Sequence, residues 1–181
     1  MASHIIAFGA STSSQSINKQ LATYAANLIS SARVEILDLN DYELPLFSED
    51  KEKALGQPEL AQAFFKKVAD ADALIISFAE HNGSYTAAYK NLFDWASRID
   101  TKVFKDKPVL ALATSPGKGG GANVLSQAVK SLPHFGAEVI GELSVPSFGQ
   151  NFDKATGEIT DSVLADQLKS LINKLQARLA N

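Results

Sequence analysis

Ile5-Ile6-Ala7-Phe8-Gly9-Ala10-Ser11-Thr12-Ser13-Ser14-Gln15-Ser16-Ile17-Asn18 is the stretch that decides the fold. Its four leading apolar residues, with no polar alternation, read as a strand buried on both faces, the habit of a parallel sheet. Gly9 ends that run and five hydroxyl side chains fill the turn. From Ile17 onward, Leu21, Ala25, Leu28 and Ile29 recur at three- and four-residue spacing, which is one face of a helix. A buried strand feeding directly into an amphipathic helix is a βα unit.

The unit recurs along the chain. Val34–Leu39, Leu74–Phe78, Val109–Ala113 and Glu138–Leu143 read as further strands. The helices between them begin at Pro58, whose ring suits a first helical turn, at Tyr85, and after the glycines of 117–121. A last helix starts at Thr160 or Asp161 and carries Leu164, Leu168, Leu171, Ile172, Leu175 and Leu179. Five such units predict an α/β fold, a five-stranded parallel sheet with helices on both faces. Residues 40–57 and 146–157 interrupt the rhythm with Pro, Gly and charge, and read as long surface loops. No repeat or boundary divides the chain, so 1–181 is expected to be one domain.

Composition narrows the function. With 181 residues, 45% of them hydrophobic, the chain can bury a substantial core. Lys+Arg 17 against Asp+Glu 20 gives a net charge of −3 and no basic stripe, which argues against a nucleic-acid partner. Zero cysteines exclude disulfides, thiolate nucleophiles and Cys-ligated metals, and three histidines (His4, His81, His134) leave little for a metal site. The apolar runs are far short of a bilayer span, and the start of the chain lacks a signal-peptide pattern. A cytoplasmic protein with no membrane partner is the expectation.

In an open parallel sheet, ligands bind beyond the carboxyl ends of the strands. Three segments should meet there: Gly9–Asn18, Ala79–Tyr85 and Ser115–Asn123. The first offers hydroxyls beside the unpaired amides of a helix amino end, a fit for phosphate, or else only a Ser-capped turn. It is not a dinucleotide fingerprint, because Ser11 and Ser14 replace the second and third glycines of G-x-G-x-x-G, and no P-loop exists. Glu80-His81-Asn82-Gly83-Ser84-Tyr85 and Ser115-Pro116-Gly117-Lys118-Gly119-Gly120-Gly121 could wall a flat ring, or be turns alone.

Taken in order, Gly9-x-Ser11-(x)4-Ser16-x-Asn18, the Glu80–Tyr85 segment running into Lys90-Asn91-x-x-Asp94-Trp95, and Thr114-Ser115-Pro116-Gly117 resemble the NADPH-dependent FMN reductase family. These are flavodoxin-like enzymes that include quinone, azo and chromate reductases. The resemblance implies a three-layer sandwich of strand order 2-1-3-4-5 and a noncovalent FMN. Ser11, Ser13, Ser16, Ile17 and Asn18 would surround its phosphate. Glu80, His81, Asn82 and Gly83 would border its ring, and Ser115, Pro116 and Gly117 the ring and ribityl chain. It further implies a ping-pong reaction in which NADPH or NADH delivers hydride to the flavin and a small acceptor then takes the electrons. Free flavin, a quinone, an azo compound or a metal oxyanion would serve as acceptor. No catalytic side chain and no metal are required. A homodimer or homotetramer is implied, with the third helix, including Asp94 and Trp95, as candidate interface. Two positions depart from the family: Ser13 stands where Arg is frequent, and His81 where Tyr is common. The rival readings are an electron-transfer flavodoxin-like carrier and a flavin-free module. A serine hydrolase would need a G-x-S-x-G elbow, which is absent.

Overall fold

The apolar runs pair side by side in a computed structural model that describes residues 2–180. In chain order the first elements are β1 (His4–Ala10), α1 (Ile17–Asn27), β2 (Arg33–Ile36), α2 (Glu49–Leu55), α3 (Glu59–Asp70) and β3 (Ala73–Phe78). A two-strand hairpin, β4 (Glu80–His81) and β5 (Ser84–Tyr85), precedes α4 (Ala87–Ile99). Then come β6 (Lys107–Thr114), α5 (Ala122–Ser131), β7 (Ala137–Val145), α6 (Phe148–Asn151), β8 (Phe152–Asp153), β9 (Glu158–Ile159) and α7 (Ser162–Leu179). The main sheet is parallel with order β2-β1-β3-β6-β7. Numbering its strands alone, that is the expected flavodoxin-like 2-1-3-4-5.

Successive strand residues point to opposite faces, and the core divides accordingly. Ile6, Phe8, Leu74, Ile76, Val109 and Ala111 pack against Phe64 and Val68 of α3, Leu92 of α4 and Val124 of α5. Ile5, Ala7, Ala73, Ile75, Leu110 and Leu112 pack against Leu21 and Ala25 of α1 and Leu168 and Ile172 of α7. Three layers result because both faces of the central strands are apolar.

Several boundaries differ from the sequence reading. β2 ends at Ile36 rather than Leu39, since Asp38 turns out of the ladder to accept the Asn40 N–H (2.9 Å) and caps a short 3-10 turn, Leu39–Tyr42. α4 begins at Ala87 rather than Tyr85 because Tyr85 is paired with Glu80 in the hairpin. Residues 40–57 are not all loop: Ser48 caps α2, which stops at Gly56 (φ +67°). Residues 146–157 are not simply surface either. Phe148 and Phe152 stack at 4.5 Å and are buried among the α1 and α7 side chains, so this segment closes one face of the core.

Gly9 sets how closely α1 approaches the sheet. A Cβ there would overlap the Lys19 amide and lie 2.7 Å from Lys19 Cα and 2.8 Å from the Asn18 carbonyl carbon. Gly117, by contrast, has nothing within 4 Å of such a Cβ. Gly9→Ala should therefore lower unfolding free energy by about 1–3 kcal/mol, as over-packing does. Gly117→Ala should stay within roughly 0.5 kcal/mol of the wild type. Urea titration of both variants checks the pair.

Candidate functional site

Ala10, Phe78 and Ala113 lie abreast in register, so the loops that follow β1, β3 and β6 leave the same edge of the sheet. Buried polar side chains bind them together. Asn18, 3% exposed, donates through Nδ2 to the Thr114 carbonyl (3.1 Å). Its Oδ1 accepts the Thr114 N–H (3.0 Å) and the Ser77 hydroxyl (2.7 Å). Thr86 caps α4 through the Tyr89 N–H and donates its own hydroxyl to the Ala10 carbonyl (2.9 Å). Thr114 in turn donates to the Val145 carbonyl (2.6 Å). Each of these buried groups is paired, as burial demands.

In the first loop, Ser16 caps α1 by accepting the Lys19 N–H (3.1 Å). Ser11, nearly buried, accepts the Ser13 N–H (3.1 Å), while Ser13 itself is exposed. The geometry of a helix start leaves the Ile17 and Asn18 amides without partners four residues back. Those amides, with the Ser13 hydroxyl, are what the loop can offer an anion. The Asn18 side chain engages Oδ1 and one of its two Nδ2 hydrogens with Thr114 and Ser77, while its main-chain N–H faces the loop with the others. Clefts flank the loop on both sides. One of about 790 Å³ is bordered by Ser14, Ser16, Lys19, Tyr24, Phe152 and Lys154. One of about 260 Å³ is bordered by Thr12, Asn40, Tyr42, Leu44 and Asn91.

The second loop is the hairpin. Asn82 (φ +51°) and Gly83 (φ +79°) occupy its turn, both left-handed, as the type I′ geometry requires. His81, Asn82 and Gly83 are exposed, and nothing lies within 4 Å of a Cβ built on Gly83. The hairpin is stapled to α5: Ser84 donates to Gln127 (2.9 Å), and the Tyr85 and Ser131 hydroxyls lie 2.9 Å apart. Burial raises the Tyr85 phenol above its ordinary pKa, opposed by the Ser131 hydrogen bond. Glu80 belongs to the same staple, since its carboxylate accepts the Val124 N–H (2.9 Å) and Asn123 Nδ2 (3.2 Å).

The third loop is anchored at its ends. Ser147 N–H donates to the Gly117 carbonyl (2.9 Å), Phe148 N–H to the Ser115 carbonyl (3.0 Å), and Ser115 Oγ to the Gly117 carbonyl (3.2 Å). Gly120 (φ +59°) has no room for a side chain, because a Cβ would overlap the Ser144 hydroxyl and sit 3.0 Å from Pro146. Pro116, Gly117 and Lys118 are exposed and form the rim. The edge thus has one hydroxyl-lined end at the first loop and one of exposed backbone at the hairpin and the rim of the third loop.

Sequence reading brought all three loops to this edge but missed Thr86 and gave Asn91 and Asn123 no role of their own. Thr86 carried a signal, a cap-type residue directly before an amphipathic helix. Asn91, which holds the Leu44 and Pro45 carbonyls and the Phe47 N–H, stood in the quoted Lys90-Asn91 motif, but nothing local marked these distant partners. Trp95, named as a candidate interface residue, is wholly buried and donates its indole N–H to the Pro45 carbonyl (2.8 Å). Among the described residues there is no metal-ligating cluster and no helix long and apolar enough to cross a membrane.

Residues 3–150 match the family described as NADPH-dependent FMN reductase. The chain is 34% identical to an NADPH:quinone oxidoreductase of Arabidopsis thaliana, over 80% of this chain and 74% of that protein. It is 30% identical to an NAD(P)H-dependent FMN reductase of Pseudomonas aeruginosa, over 79% and 76%. The solved structure of FerB, a flavoenzyme NAD(P)H:(acceptor) oxidoreductase from Paracoccus denitrificans, superposes with a TM-score of 0.74 at 24% identity, covering 97% of this chain and 98% of that one. That likeness is one of fold.

Two substitutions test how the edge is built. Asn18→Ala should cost about 1–3 kcal/mol for each buried partner left unpaired, here the Ser77 hydroxyl and the Thr114 backbone, measured by urea unfolding. Asp38, held below the usual carboxylate range by the Lys19 ammonium (2.5 Å) and the Asn40 N–H, ties α1 to the end of β2. A lowered carboxylate stabilises the fold above its unfolded pKa, and that contribution disappears as pH falls through the folded value. Asp38→Asn should therefore lower Tm at pH 7, by the equivalent of roughly 0.2–1 kcal/mol for so exposed a pair. The gap to the wild type should close as the pH falls below about 4.

Proposed function

Because this chain belongs to the NADPH-dependent FMN reductase family, we propose that its first loop holds the flavin's phosphate and that the hairpin and third loop wall the ring. It is an NAD(P)H-dependent, FMN-using oxidoreductase rather than an electron carrier. The observation that carries the placement is the division of labour at the sheet edge. Free amides and a hydroxyl lie at one end, and an open shelf without side chains at Gly83 and Gly117 lies at the other.

The residues fit such a cofactor. A phosphomonoester needs several donors and a favourable field, which the Ile17 and Asn18 amides, Ser13 and the α1 dipole supply. Ser11 and Ser16 act by fixing the loop, through Ser13 N–H and Lys19 N–H. A flat heterocycle needs a wall its plane can approach, and the hairpin backbone from 80 to 83 with Ser115, Pro116 and Gly117 opposite provides one. When bound, FMN supplies the hydride chemistry, accepting from the nicotinamide and passing electrons to the acceptor. The protein's part is to hold and align; no side chain need take or give a proton. His81, exposed at the end of β4 beside the turn, offers a ring face to whichever molecule stacks there.

A quinone is the proposed acceptor, supported by the activity in the name of the Arabidopsis relative. The reading places the enzyme in the cytoplasm as a single domain, 1–181. It acts as a homodimer, or as a tetramer built from dimers, paired through α4. Support for that face comes from a groove of about 280 Å³ beside α4, lined by the half-buried Tyr85, Phe93 and Phe135 with the buried Phe104.

Anaerobic visible spectroscopy tests the proposal. Protein mixed with FMN should hold a yellow chromophore that NADPH or NADH bleaches and a benzoquinone restores; a chromophore that stays oxidised with both nucleotides overturns it. Ser13→Arg should tighten FMN by about tenfold, one charge-assisted hydrogen bond, and leave riboflavin unchanged. Equal gains for both ligands would remove the phosphate from the first loop. Sedimentation should return twice the 19.3 kDa chain mass or a multiple of that dimer.

A further inference from the structure

Two helix amino ends at this edge could receive an anion. α1 begins in the hydroxyl-rich loop. α5 begins after Gly119-Gly120-Gly121, with Gly121 left-handed (φ +74°) at its cap and no capping side chain of its own. On composition alone the second is the better cradle, since glycines let a phosphate reach the backbone closely. It is already filled. Glu80, 44 residues away in sequence, accepts the Val124 N–H (2.9 Å) with Oε2 and Asn123 Nδ2 (3.2 Å) with Oε1.

We propose that Glu80 is an internal anion that closes the α5 amino end to phosphate, so that the flavin's phosphate is directed to α1 and its ring to the hairpin side. Glu80 acts here as a positioning residue: its carboxylate works through α5 and the hairpin, not on the reacting atoms. The geometry gives it both duties. From β4 its side chain crosses to the first turn of α5, pinning the ring wall, and in doing so neutralises the helix end nearest that wall. A carboxylate against main-chain N–H groups is the same interaction a phosphate would make, and a bound like charge repels a second anion. At α1 no carboxylate does this. Ser16 caps with a neutral hydroxyl, and Asp38, the acid nearest by hydrogen bonding, is paired to Lys19. The inference rests on the flavin reading for its consequence, but its physical core, exclusion of anions from α5, can be judged separately.

The experiment is a titration of the full flavin-free chain with inorganic phosphate, followed by amide chemical shifts in wild type, Glu80→Ala and Glu80→Gln. In the wild type, amides of residues 13–18 should move and those of 121–124 stay still. In both variants residues 121–124 should also move, with apparent phosphate affinity there about tenfold or more above the wild type. Wild-type shifts at 121–124, or silence there in the variants, would overturn the role of Glu80. Glu80→Gln keeps the side-chain volume and an acceptor for Val124 N–H, so it decides the question if the Ala variant does not fold. Stillness at 13–18 with wild type, together with no FMN binding, would instead overturn the flavin reading and leave the 121–124 result to stand on its own.

Discussion

The first turn of α1 must lie against the end of β1 with no side chain between them, and one buried amide must then hold that contact. Gly9 permits the approach, and Asn18 secures it with three hydrogen bonds to Ser77 and Thr114. A buried, fully satisfied polar cluster tolerates little displacement, because each lost partner strands a group in a low-dielectric interior. The loops after β1, β3 and β6 therefore move as one body. Thr86 extends this to the hairpin through the Ala10 carbonyl, and Glu80 extends it to α5. What a ligand meets at this edge is a preorganised set of amides rather than separate flexible turns.

Such an edge explains why a chain with no cysteine and three histidines is chemically competent. Hydride transfer between two stacked rings needs alignment within a few tenths of an ångström far more than it needs an acid or base. On the proposed reading alignment comes from the sheet, and binding from backbone N–H groups. Neither leaves a conspicuous signature in side-chain composition.

The architecture was legible in the sequence for a physical reason. Strands such as Ile5–Phe8 and Val109–Ala113 are apolar on both faces, and their regular alternation with amphipathic helices points to a covered parallel sheet. The three loops followed from that topology, and their identities as a set carried the family. Hidden from the sequence were pairings across long separations. Nothing in the local pattern says that the Asn18 side chain bonds Thr114 and Ser77, or that Glu80 serves a helix 44 residues later. The 146–157 segment misled for the converse reason. Its Pro and Gly announce a surface loop, while Phe148 and Phe152, one helical turn apart, are covered only by packing against α1 and α7. Short-range rules register turns; they do not register which turn is later covered.

The two ends of the edge are built to different tolerances, and that difference bears on selectivity. At the first loop, Gly9, Asn18 and the Ser16 cap fix main-chain donors in place, which on the proposed reading would let a phosphomonoester be told from its absence. Hydrogen-bonding sites discriminate strongly because an unfilled donor remains costly. At the shelf, His81, Asn82, Gly83, Pro116, Gly117 and Lys118 are exposed and enclose nothing. An open apolar or backbone surface separates one small planar molecule from another by little. Tight recognition at one end with loose recognition at the other suits an oxidoreductase that keeps its cofactor between turnovers while admitting a nicotinamide and then a chemically different acceptor at the same face.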